Sequence, residues 1–371
     1  MGIRNLNRFF KENASKNDAI KFLSLSKLSG KKVAVDISIY MYKFVGDDSL
    51  IENIYLMLSI FIYYNITPIF IFDGKAPTEK SELLQKRRQD KKEAEKEYEE
   101  LKKMLDLIKE KEIKEKELIK KDIIKETLEI EKQEIIYSMD MLKRKIITIS
   151  KKDIEHVKAL IDAHGLTYYD ATGEADELCA LLCLKEKVWA CLSEDMDMFV
   201  FGCPRVIRYI SLLNHTAVLY DTQKILENLG ITQKELREIC VLSGTDYNMI
   251  HTNNENEEKN KEKEVKENKD LNNTLKYFKN FQKYINTEKD TNKDNNRNTD
   301  FYEYLLKNTQ YISDKDIILL KKVGGMFDLN SINNIQLKIM DDTQIINRPI
   351  QKLKIKEILK LDGFIFPLQP E

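Results

Sequence analysis

The chain has 371 residues, of which 42% are hydrophobic, so it can bury the core of one large domain or of two smaller ones. Its 61 Lys and Arg residues nearly balance its 62 Asp and Glu residues, which leaves a formal net charge of -1. This balance excludes a generally basic nucleic-acid-binding chain, and any basic surface must be local.

Two short apolar runs near the amino terminus end in an acid. Residues 31–36 close with Asp36, and residues 66–73 close with Asp73. Their β-branched and aromatic residues predict two buried strands, each with a carboxylate at its end.

A long uncharged run, residues 53–72, approaches the length of a membrane span. Residues 65–68, Asn-Ile-Thr-Pro, interrupt it with turn-forming residue types. The part before this break has the pattern of a helix, and the part after it has the pattern of a strand. The sequence therefore predicts a helix and a strand here rather than a membrane span.

Residues 86–132 are almost continuously charged, with sparse apolar residues such as Leu101, Leu105 and Ile108. This pattern predicts long, exposed helices rather than a core element. The spacing alone favours a solvated helical hairpin or coiled coil, and a device that grips a substrate is the alternative.

Three acids, Glu174, Asp176 and Glu177, lie ahead of an apolar helical pattern that starts at Leu178. Thr172 is the predicted N-cap of this helix. Acids in a first turn are also ordinary partners of the helix dipole. In a regular helix Glu174 would not share a face with Asp176, so a pair of these two requires the helix to begin after Glu174.

An apolar run, residues 188–192, predicts a strand that leads directly into Glu194, Asp195 and Asp197. Carboxylates this close repel one another, and either protonation or a cation between them relieves the repulsion. Asp195 and Asp197 are two residues apart, so in an extended chain their side chains point to the same side. This spacing suits a hard divalent cation.

The apolar helix predicted for residues 236–242 is followed by Asp246 in a glycine turn, where a lone Asp usually forms the turn itself. Beyond it, residues 251–270 are rich in Asn, Glu and Lys and predict a disordered insert. Residues 286–300 have the same composition, and they follow a short amphipathic segment at residues 271–285.

The five cysteines show no CxxC spacing; they are Cys179, Cys183, Cys191, Cys203 and Cys240. Their odd number and their spacing predict buried thiols in a reducing compartment rather than disulfides or a zinc site. The four histidines are dispersed, which favours surface or loop positions over ligation.

Seven acids thus stand at element ends in a chain whose elements alternate as in an α/β fold. They are Asp36, Asp73, Glu174, Asp176, Asp195, Asp197 and Asp246. In open parallel sheets the carboxyl ends of the strands form one rim, where ligands bind. Carboxylates without histidine or cysteine partners favour Mg²⁺ or Mn²⁺. Two such ions about 4 Å apart can activate a water and stabilise a leaving oxygen, which predicts phosphoryl-transfer chemistry.

Six motifs, in this order and at this spacing, resemble the flap endonucleases of the XPG family of structure-specific nucleases. They are Met1-Gly2-Ile3, Val33-Ala-Val-Asp36, Ile69-Phe-Ile-Phe-Asp73-Gly74-Lys75-Ala-Pro77, Thr172-Gly-Glu-Ala-Asp176, Ser193-Glu-Asp-Met-Asp197 and Gly244-Thr-Asp246-Tyr247. The resemblance extends from Met1 to about Asn248, and the charged helical segment is the main difference in length.

The resemblance implies an α/β fold of the PIN-like (resolvase-like) type, with a mostly parallel central sheet flanked by helices. It divides the chain into a nuclease region at residues 1–85, a long helical arch at 86–150, an internal nuclease region at 151–249, a low-complexity insert with a degenerate helix-two-turn-helix at 250–300, and a C-terminal helical region at 301–371. It also implies that the seven acids bind two Mg²⁺ ions, for which Mn²⁺ can substitute.

The resemblance further implies that Lys80 and Arg87 reach the scissile phosphate. Their spacing of seven independently places them two turns apart on one helix face, with Thr78 as the helix cap. Without the resemblance, an exposed Lys and Arg on a charged helix is the simpler interpretation.

Three further residues are implied to contact DNA. Tyr42 matches an aromatic on which a base stacks, although an aromatic in an apolar helix is more often a core residue. Gly2 lets the processed amino terminus approach the site, and Arg88 is a further DNA-binding residue.

The function implied is a Mg²⁺-dependent DNA endonuclease with 5′ flap and 5′-3′ exonuclease activity in repair or replication. Its partners are DNA with 5′ flaps or single-strand/duplex junctions, and we expect the protein to be a monomer. The expected location is the nucleus, which for a viral protein is the host nucleus, and the cytoplasm is the alternative. The sequence offers no convincing sliding-clamp motif. The insert at residues 251–270 replaces the family's glycine-rich, K⁺-binding helix-two-turn-helix, and residues 271–281 match its second helix without the glycines. A relative that cuts bubbles or junctions, or a catalytically silent nucleic-acid-binding module, are the alternative functions.

Overall fold

A computed structural model describes residues 3, 5–115, 132, 135, 136, 138–143, 145–248, 269–291, 300–329 and 344–366. For residues 109–115 and 288–291 it describes the backbone alone. Gly2, residues 116–131 of the predicted arch and residues 250–268 of the predicted insert lie outside this description.

The centre of the molecule is a seven-stranded sheet. Its strands are β1 (Ile20–Ser24), β2 (Lys32–Asp36), β3 (Thr67–Phe72), β4 (Thr167–Asp170), β5 (Ala190–Leu192), β6 (Arg205–Ser211) and β7 (Thr216–Asp221). They are ordered β1-β7-β6-β5-β2-β3-β4. Strands β4, β3, β2, β5 and β6 are parallel, whereas β7 pairs antiparallel with both β6 and β1. The predicted mostly parallel sheet is confirmed.

Helices flank this sheet. They are α1 (Leu6–Asn13), α2 (Ile37–Gly46), α3 (Leu50–Tyr63), α4 (Ser81–Glu115), α5 (Lys151–Ala163), α6 (Ala175–Leu184), α7 (Asp197–Val200), α8 (Thr222–Leu229), α9 (Gln233–Leu242), α10 (Leu271–Thr291), α11 (Phe301–Asn308), α12 (Asp314–Met326) and α13 (Lys352–Leu361). Two short 3₁₀ turns, Leu25–Leu28 and Thr78–Lys80, are also present.

The central strands are apolar on both faces because both faces are covered. In β2, Ala34 packs into the core formed with α1, α6 and α9–α12, while Val33 and Val35 pack into the core formed with α2, α3, α5 and α13. A parallel sheet buried in this way gives the continuous apolar runs seen in the sequence. Its register sets Val35 beside Phe70 and Leu192, so the carboxyl ends of β2, β3 and β5 meet at one edge.

The uncharged run at residues 53–72 forms most of α3 and all of β3, as predicted. Asn65 makes the turn between them with a φ of 55°. In the part of the chain that the structure describes, no helix combines the length and apolar character that a bilayer span requires.

Strand β5 is shorter than the predicted strand at residues 188–192. The amides of Lys187 and Val188 both donate to the Leu182 carbonyl, so these residues terminate α6 instead of extending the strand. Only Ala190–Leu192 pairs with β2.

Helix α4 is the long, charged helix that the sequence predicts. Its 35 residues extend about 52 Å at 1.5 Å per residue. The returning chain is fixed at its base, because Lys91 donates to the Ile147 carbonyl at 3.2 Å and Lys143 pairs with Asp48 near the end of α2.

Helix α10 confirms the amphipathic segment predicted at residues 271–285. It buries Leu271, Leu275 and Phe278 on one face at helical spacing. It also runs on to Thr291, so residues 286–291 continue the helix although their composition is like that of the predicted insert. That stretch contains no Gly or Pro to end the helix.

Candidate active site

Strand ends deliver the first acids to one edge of the sheet. Asp36 is the last residue of β2 and is buried, and Asp73 directly follows β3. Ser193, which follows β5, donates to Asp36 Oδ2 at 3.0 Å and accepts from the Asp195 amide at 3.1 Å. This serine therefore fixes the exit of β5 against the end of β2.

Asp195 and Asp197 converge through a turn, not through the extended chain that the sequence suggested. Met196 between them is helical, with φ -82° and ψ -13°, and the Asp197 amide donates to Asp195 Oδ1 at 3.0 Å. Asp197 is 0% exposed, and neither of its carboxylate oxygens has a hydrogen-bond partner within the described residues. The neighbouring Glu194 does not join the other acids, because its carboxylate accepts from the Tyr209 amide at 2.6 Å.

Glu174 and Asp176 reach the same edge from the start of α6. The helix begins at Ala175, and Glu174 is its N-cap in an extended conformation, which is the start point that the pairing requires. The predicted cap at Thr172 is wrong, because the helix begins at Ala175 and Glu174 holds the N-cap position. The amide of Ala175, which has no partner within the helix, donates to Asp73 Oδ1 at 2.8 Å, so the acid after β3 satisfies the helix terminus.

Asp246 arrives from the turn after α9. The turn itself is held by Asn248, whose Oδ1 accepts from the Thr245 amide at 3.0 Å and whose amide group donates to the Val241 carbonyl at 2.8 Å. Gly244 adopts a φ of 99°, which favours glycine. Asp246 is therefore not the turn-forming residue, and its carboxylate faces Arg87 and the other acids.

The acids are held close together at an electrostatic cost. Burial, together with repulsion from Asp73, raises the pKa of Asp36 to about 8. Burial and repulsion from Asp195 raise the pKa values of Asp176 and Asp197 well above the ordinary value. A cation between these groups would remove both costs.

The donor set fits a hard divalent ion. It consists of carboxylates, which Mg²⁺ and Mn²⁺ prefer, and Asp197 offers two buried oxygens without partners. Among the described residues, no three carboxylates offer oxygens within 4.8 Å of one another. The set therefore suits an ion that keeps several of its waters, as Mg²⁺ does.

Two cations already contact these acids. Lys80 is 7% exposed, and its Nζ lies 2.8 Å from Glu174 Oε2, while Arg87 Nη2 lies 3.1 Å from Asp246 Oδ2. Burial lowers the pKa of Lys80, but the charges of Asp176 and Glu174 more than offset this, so the net pKa is raised.

Lys80 and Arg87 do not lie on one continuous helix as expected. Lys80 ends the 3₁₀ turn Thr78–Lys80, and α4 begins at Ser81. Thr78 does not cap α4, since its hydroxyl donates to the Glu79 carboxylate at 3.1 Å. The two cations nevertheless reach the same group of acids.

Tyr247 was missed as a site residue, although it stands next to Asp246. Its hydroxyl donates to Glu174 Oε2 at 2.7 Å, and Lys80 Nζ lies 4.5 Å from its ring centroid. Its ring also meets Phe327 edge-on at 5.2 Å. The only sequence signal was its place in the Gly244–Tyr247 motif.

The remaining predicted DNA-binding residues are placed as follows. Tyr42 on α2 is 52% exposed, so the core alternative is wrong for it; Tyr40 and Phe44 are the buried aromatics of that helix. Arg88 is exposed on α4 beside Arg87. Gly2 lies outside the described residues.

Two family models match this chain. The XPG N-terminal domain matches residues 1–94, and the XPG I-region matches residues 165–246. The chain belongs to the XPG family. All seven acids, together with Lys80 and Arg87, lie within these two XPG segments.

Curated XPG relatives carry the name flap endonuclease 1. The Zea mays protein is 28% identical over 266 residues, which is 67% of this chain and 62% of the relative. The Encephalitozoon cuniculi protein is 28% identical over 265 residues, 67% of this chain and 68% of the relative. The Heterostelium pallidum protein is 30% identical over 268 residues, 67% of this chain and 61% of the relative. The match thus spans less than two thirds of the maize and Heterostelium relatives.

Solved structures show the same fold. The catalytic core of Rad2 superimposes with a TM-score of 0.55 at 19% identity, covering 97% of this chain and 94% of Rad2. Rad2 in complex with DNA substrate gives 0.57 at 18% identity, covering 98% and 95%. Human GEN1 in complex with Holliday junction DNA gives 0.54 at 14% identity, covering 96% and 72%. The XPG chain therefore has the PIN-like nuclease fold that the sequence predicted.

Proposed function

We propose that this XPG-family chain is a metal-dependent, structure-specific DNA nuclease that cuts 5′ flaps and acts as a 5′-3′ exonuclease in repair or replication. The observation that carries the proposal is the group of seven acids at one sheet edge. A divalent ion would relieve the repulsion that acts on its buried members Asp36, Asp176 and Asp197. The flap endonuclease 1 relatives support the choice of substrate.

The seven acids would hold two Mg²⁺ ions, for which Mn²⁺ can substitute. When bound, the ions supply activation of a water and stabilisation of the leaving oxygen. Asp197 offers oxygens that no described residue engages, and Ser193 and the Ala175 amide hold Asp36 and Asp73 in place.

Lys80 and Arg87 would bind and orient the scissile phosphate. In the structure they neutralise Glu174 and Asp246, so they stand at the acid cluster before any substrate arrives. A phosphate that enters would take over their hydrogen bonds, and their charges would offset the negative charge that grows in the transition state.

Tyr42, Arg88 and Gly2 would contact DNA outside the reacting phosphate. The half-exposed ring of Tyr42 is available to stack on an unpaired base. Arg88 would contact the backbone, and Gly2 would let the amino terminus approach it. The DNA partners would be 5′ flaps or single-strand/duplex junctions, bound by a monomer in the nucleus.

The first experiment is cleavage of a 5′-labelled double-flap DNA with Mg²⁺ and with EDTA. We expect Mg²⁺-dependent cuts at the flap junction, and we expect Asp195→Ala to reduce cleavage to the level seen with EDTA while DNA binding remains. Glu52→Ala is the matched control, because Glu52 is an exposed acid on α3.

The outcomes separate the alternatives. Near wild-type cleavage by Asp195→Ala would exclude Asp195 as a metal ligand. Binding without metal-dependent cleavage of any substrate would indicate a silent nucleic-acid-binding module. A preference for a bubble or four-way junction of equal length over the flap would place the chain with the junction- or bubble-cutting members of the family.

A further inference from the structure

Three buried cysteines converge behind the acid cluster. Cys183 lies near the end of α6, Cys191 lies in the middle of β5, and Cys203 lies in the turn before β6. All three are buried, and their Sγ atoms lie within 4.8 Å of one another. We call Cys183, Cys191 and Cys203 the thiol cluster.

The fold creates this cluster from residues that are far apart in sequence. Cys191 lies beside Val206 in the parallel register of β5 and β6, which brings the turn before β6 alongside β5. Helix α6 packs on the same two elements through its buried face. Spacings of 8 and 12 residues match no short metal motif, so the sequence alone favoured isolated buried thiols.

The cluster lies in the hydrophobic core, where each of its thiols donates to a backbone carbonyl; Cys191 Sγ lies 2.8 Å from the Cys179 carbonyl oxygen. Cys183 Sγ lies 3.6 Å from the Trp189 carbonyl oxygen, and Cys203 Sγ lies 3.4 Å from the Arg205 carbonyl oxygen. Arg205 donates from Nη1 to the Trp189 carbonyl at 3.3 Å and lies 5.1 Å from the Trp189 ring. The positive charge of Arg205 makes a minor contribution to a lowered pKa of Cys183.

The ionisation of Cys183 agrees with this placement. Hydrogen bonds from the thiols of Cys191 and Cys203 lower the pKa of Cys183 to about 4. Burial raises the pKa values of Cys191 and Cys203 well above the ordinary value, so Cys183 ionises first and the other two thiols would lose their protons only to a bound metal ion.

We propose that Cys183, Cys191 and Cys203 bind a Zn²⁺ ion as three thiolate ligands, at a site separate from the seven acids. Zn–S bonds of about 2.3 Å place tetrahedral sulfurs about 3.8 Å apart, which lies within the 4.8 Å limit of this cluster. Binding releases the thiol protons to solvent. Three thiolates and Zn²⁺ carry one net negative charge, which Arg205 offsets.

The site is structural in character. It joins α6, which carries Asp176, to β5, which leads into Asp195, and to the start of β6. A bound ion would therefore stabilise the folded state by mass action and hold the elements behind the acids together.

The test uses Cd²⁺ as a spectroscopic probe for Zn²⁺. The full chain, kept under a non-chelating reductant and excess Mg²⁺, is titrated with Cd²⁺ and the thiolate-to-metal charge-transfer absorption is followed. Carboxylates cannot give this absorption, so the acids do not contribute to it. We expect saturation at about one ion per chain, displacement by Zn²⁺, and a rise in Tm with Zn²⁺.

Variants assign the sulfurs. Cys183→Ser and Cys203→Ser should lose the stoichiometric absorption and the Zn²⁺-dependent rise in Tm. Cys240→Ser should keep both, because Cys240 is a buried thiol on α9 outside the cluster. Asp195→Ala should also keep both, which separates this site from the proposed nuclease centre.

Two results would overturn the proposal, and neither bears on the nuclease assay. The first is the absence of saturable charge-transfer absorption when the wild-type chain is titrated with Cd²⁺. This result does not depend on whether any variant folds. The second is an equal loss of the absorption in Cys240→Ser and Cys183→Ser.

Discussion

Tyr247 contacts both members of the buried Lys80–Glu174 ion pair. Its hydroxyl holds one oxygen of the carboxylate, and its ring lies under the ammonium group. A buried charge pair needs such partners, because its desolvation is costly unless the remaining lone pairs and protons are satisfied. Tyr247 therefore orients two groups that the proposed reaction uses.

We expect Tyr247→Phe to lower kcat on the order of tenfold, since a hydrogen bond to a charged group contributes about 1.5–3 kcal/mol. It should also raise the Mg²⁺ concentration needed for half-maximal rate, because Glu174 loses its orientation. The measurement is flap cleavage across a Mg²⁺ titration. Tyr302→Phe is the control, because it removes a buried hydroxyl that donates to the Glu238 carbonyl, away from the acids. An equal loss in both variants would mean that Tyr247 serves stability alone.

Lys80 is buried and Arg87 is exposed, but we expect substitution of either residue to have the same effect on cleavage. Loss of either charge should lower kcat on the order of 10²-fold and leave DNA affinity nearly unchanged, because the charge is needed most in the transition state. Single-turnover cleavage and equilibrium binding of the same flap separate the two quantities. Lys86→Ala is the control for an exposed cation on α4. Equal losses of rate and affinity would show that Lys80 and Arg87 only bind.

At the scale of elements, the close approach of two strand exits places Asp73 against α6. The Gly74 amide donates to the Gly173 carbonyl at 2.7 Å, and a Cβ at Gly74 would lie 1.9 Å from the Ala171 carbonyl oxygen. Only glycine allows this contact between the exits of β3 and β4. The contact in turn lets Asp73 accept from the Ala175 amide.

Gly74→Ala should therefore destabilise the protein by about 1–3 kcal/mol and abolish metal-dependent cleavage, since the backbone must move away. Gly173→Ala is a closely matched control, because its Cβ would meet nothing nearer than Glu177 Oε2 at 3.5 Å. Chemical denaturation measures the first effect, and the flap assay measures the second. If the two variants are equally stable and active, the close approach is not required.

The sequence predicted the elements that carry the acids because each signal was local. An apolar run that ends in Asp36 or Asp73 needs only a few neighbouring residues to be recognised. The roles of Ser193 and Tyr247 and the thiol cluster could not be predicted, because each depends on residues that lie far apart in the chain and meet only in the fold. The hydrogen bond that satisfies the start of α6 was missed for the same reason, since its acceptor is Asp73, which follows β3 and lies 102 residues earlier in the chain.

At the scale of the whole molecule, the acid cluster opposes the stability of the metal-free fold. Burial and mutual repulsion raise the pKa of Asp197 well above the ordinary value, so keeping it charged weakens the folded state. Two extensive cores, one on each face of the sheet, offset this cost. A site that destabilises the folded protein in this way is expected where its residues are selected for function rather than for stability.

Asp197→Asn should therefore make the metal-free protein more stable by about 0.5–2 kcal/mol while abolishing cleavage. The neutral amide keeps the shape of the side chain but removes its repulsion with Asp195. Thermal unfolding in EDTA and in Mg²⁺ provides the measurement: Mg²⁺ should raise the Tm of the wild type clearly and that of the variant much less. Glu52→Gln, on the surface of α3, should change neither Tm. A lower metal-free Tm for Asp197→Asn would show that this carboxylate stabilises the fold without a metal, which contradicts its proposed role.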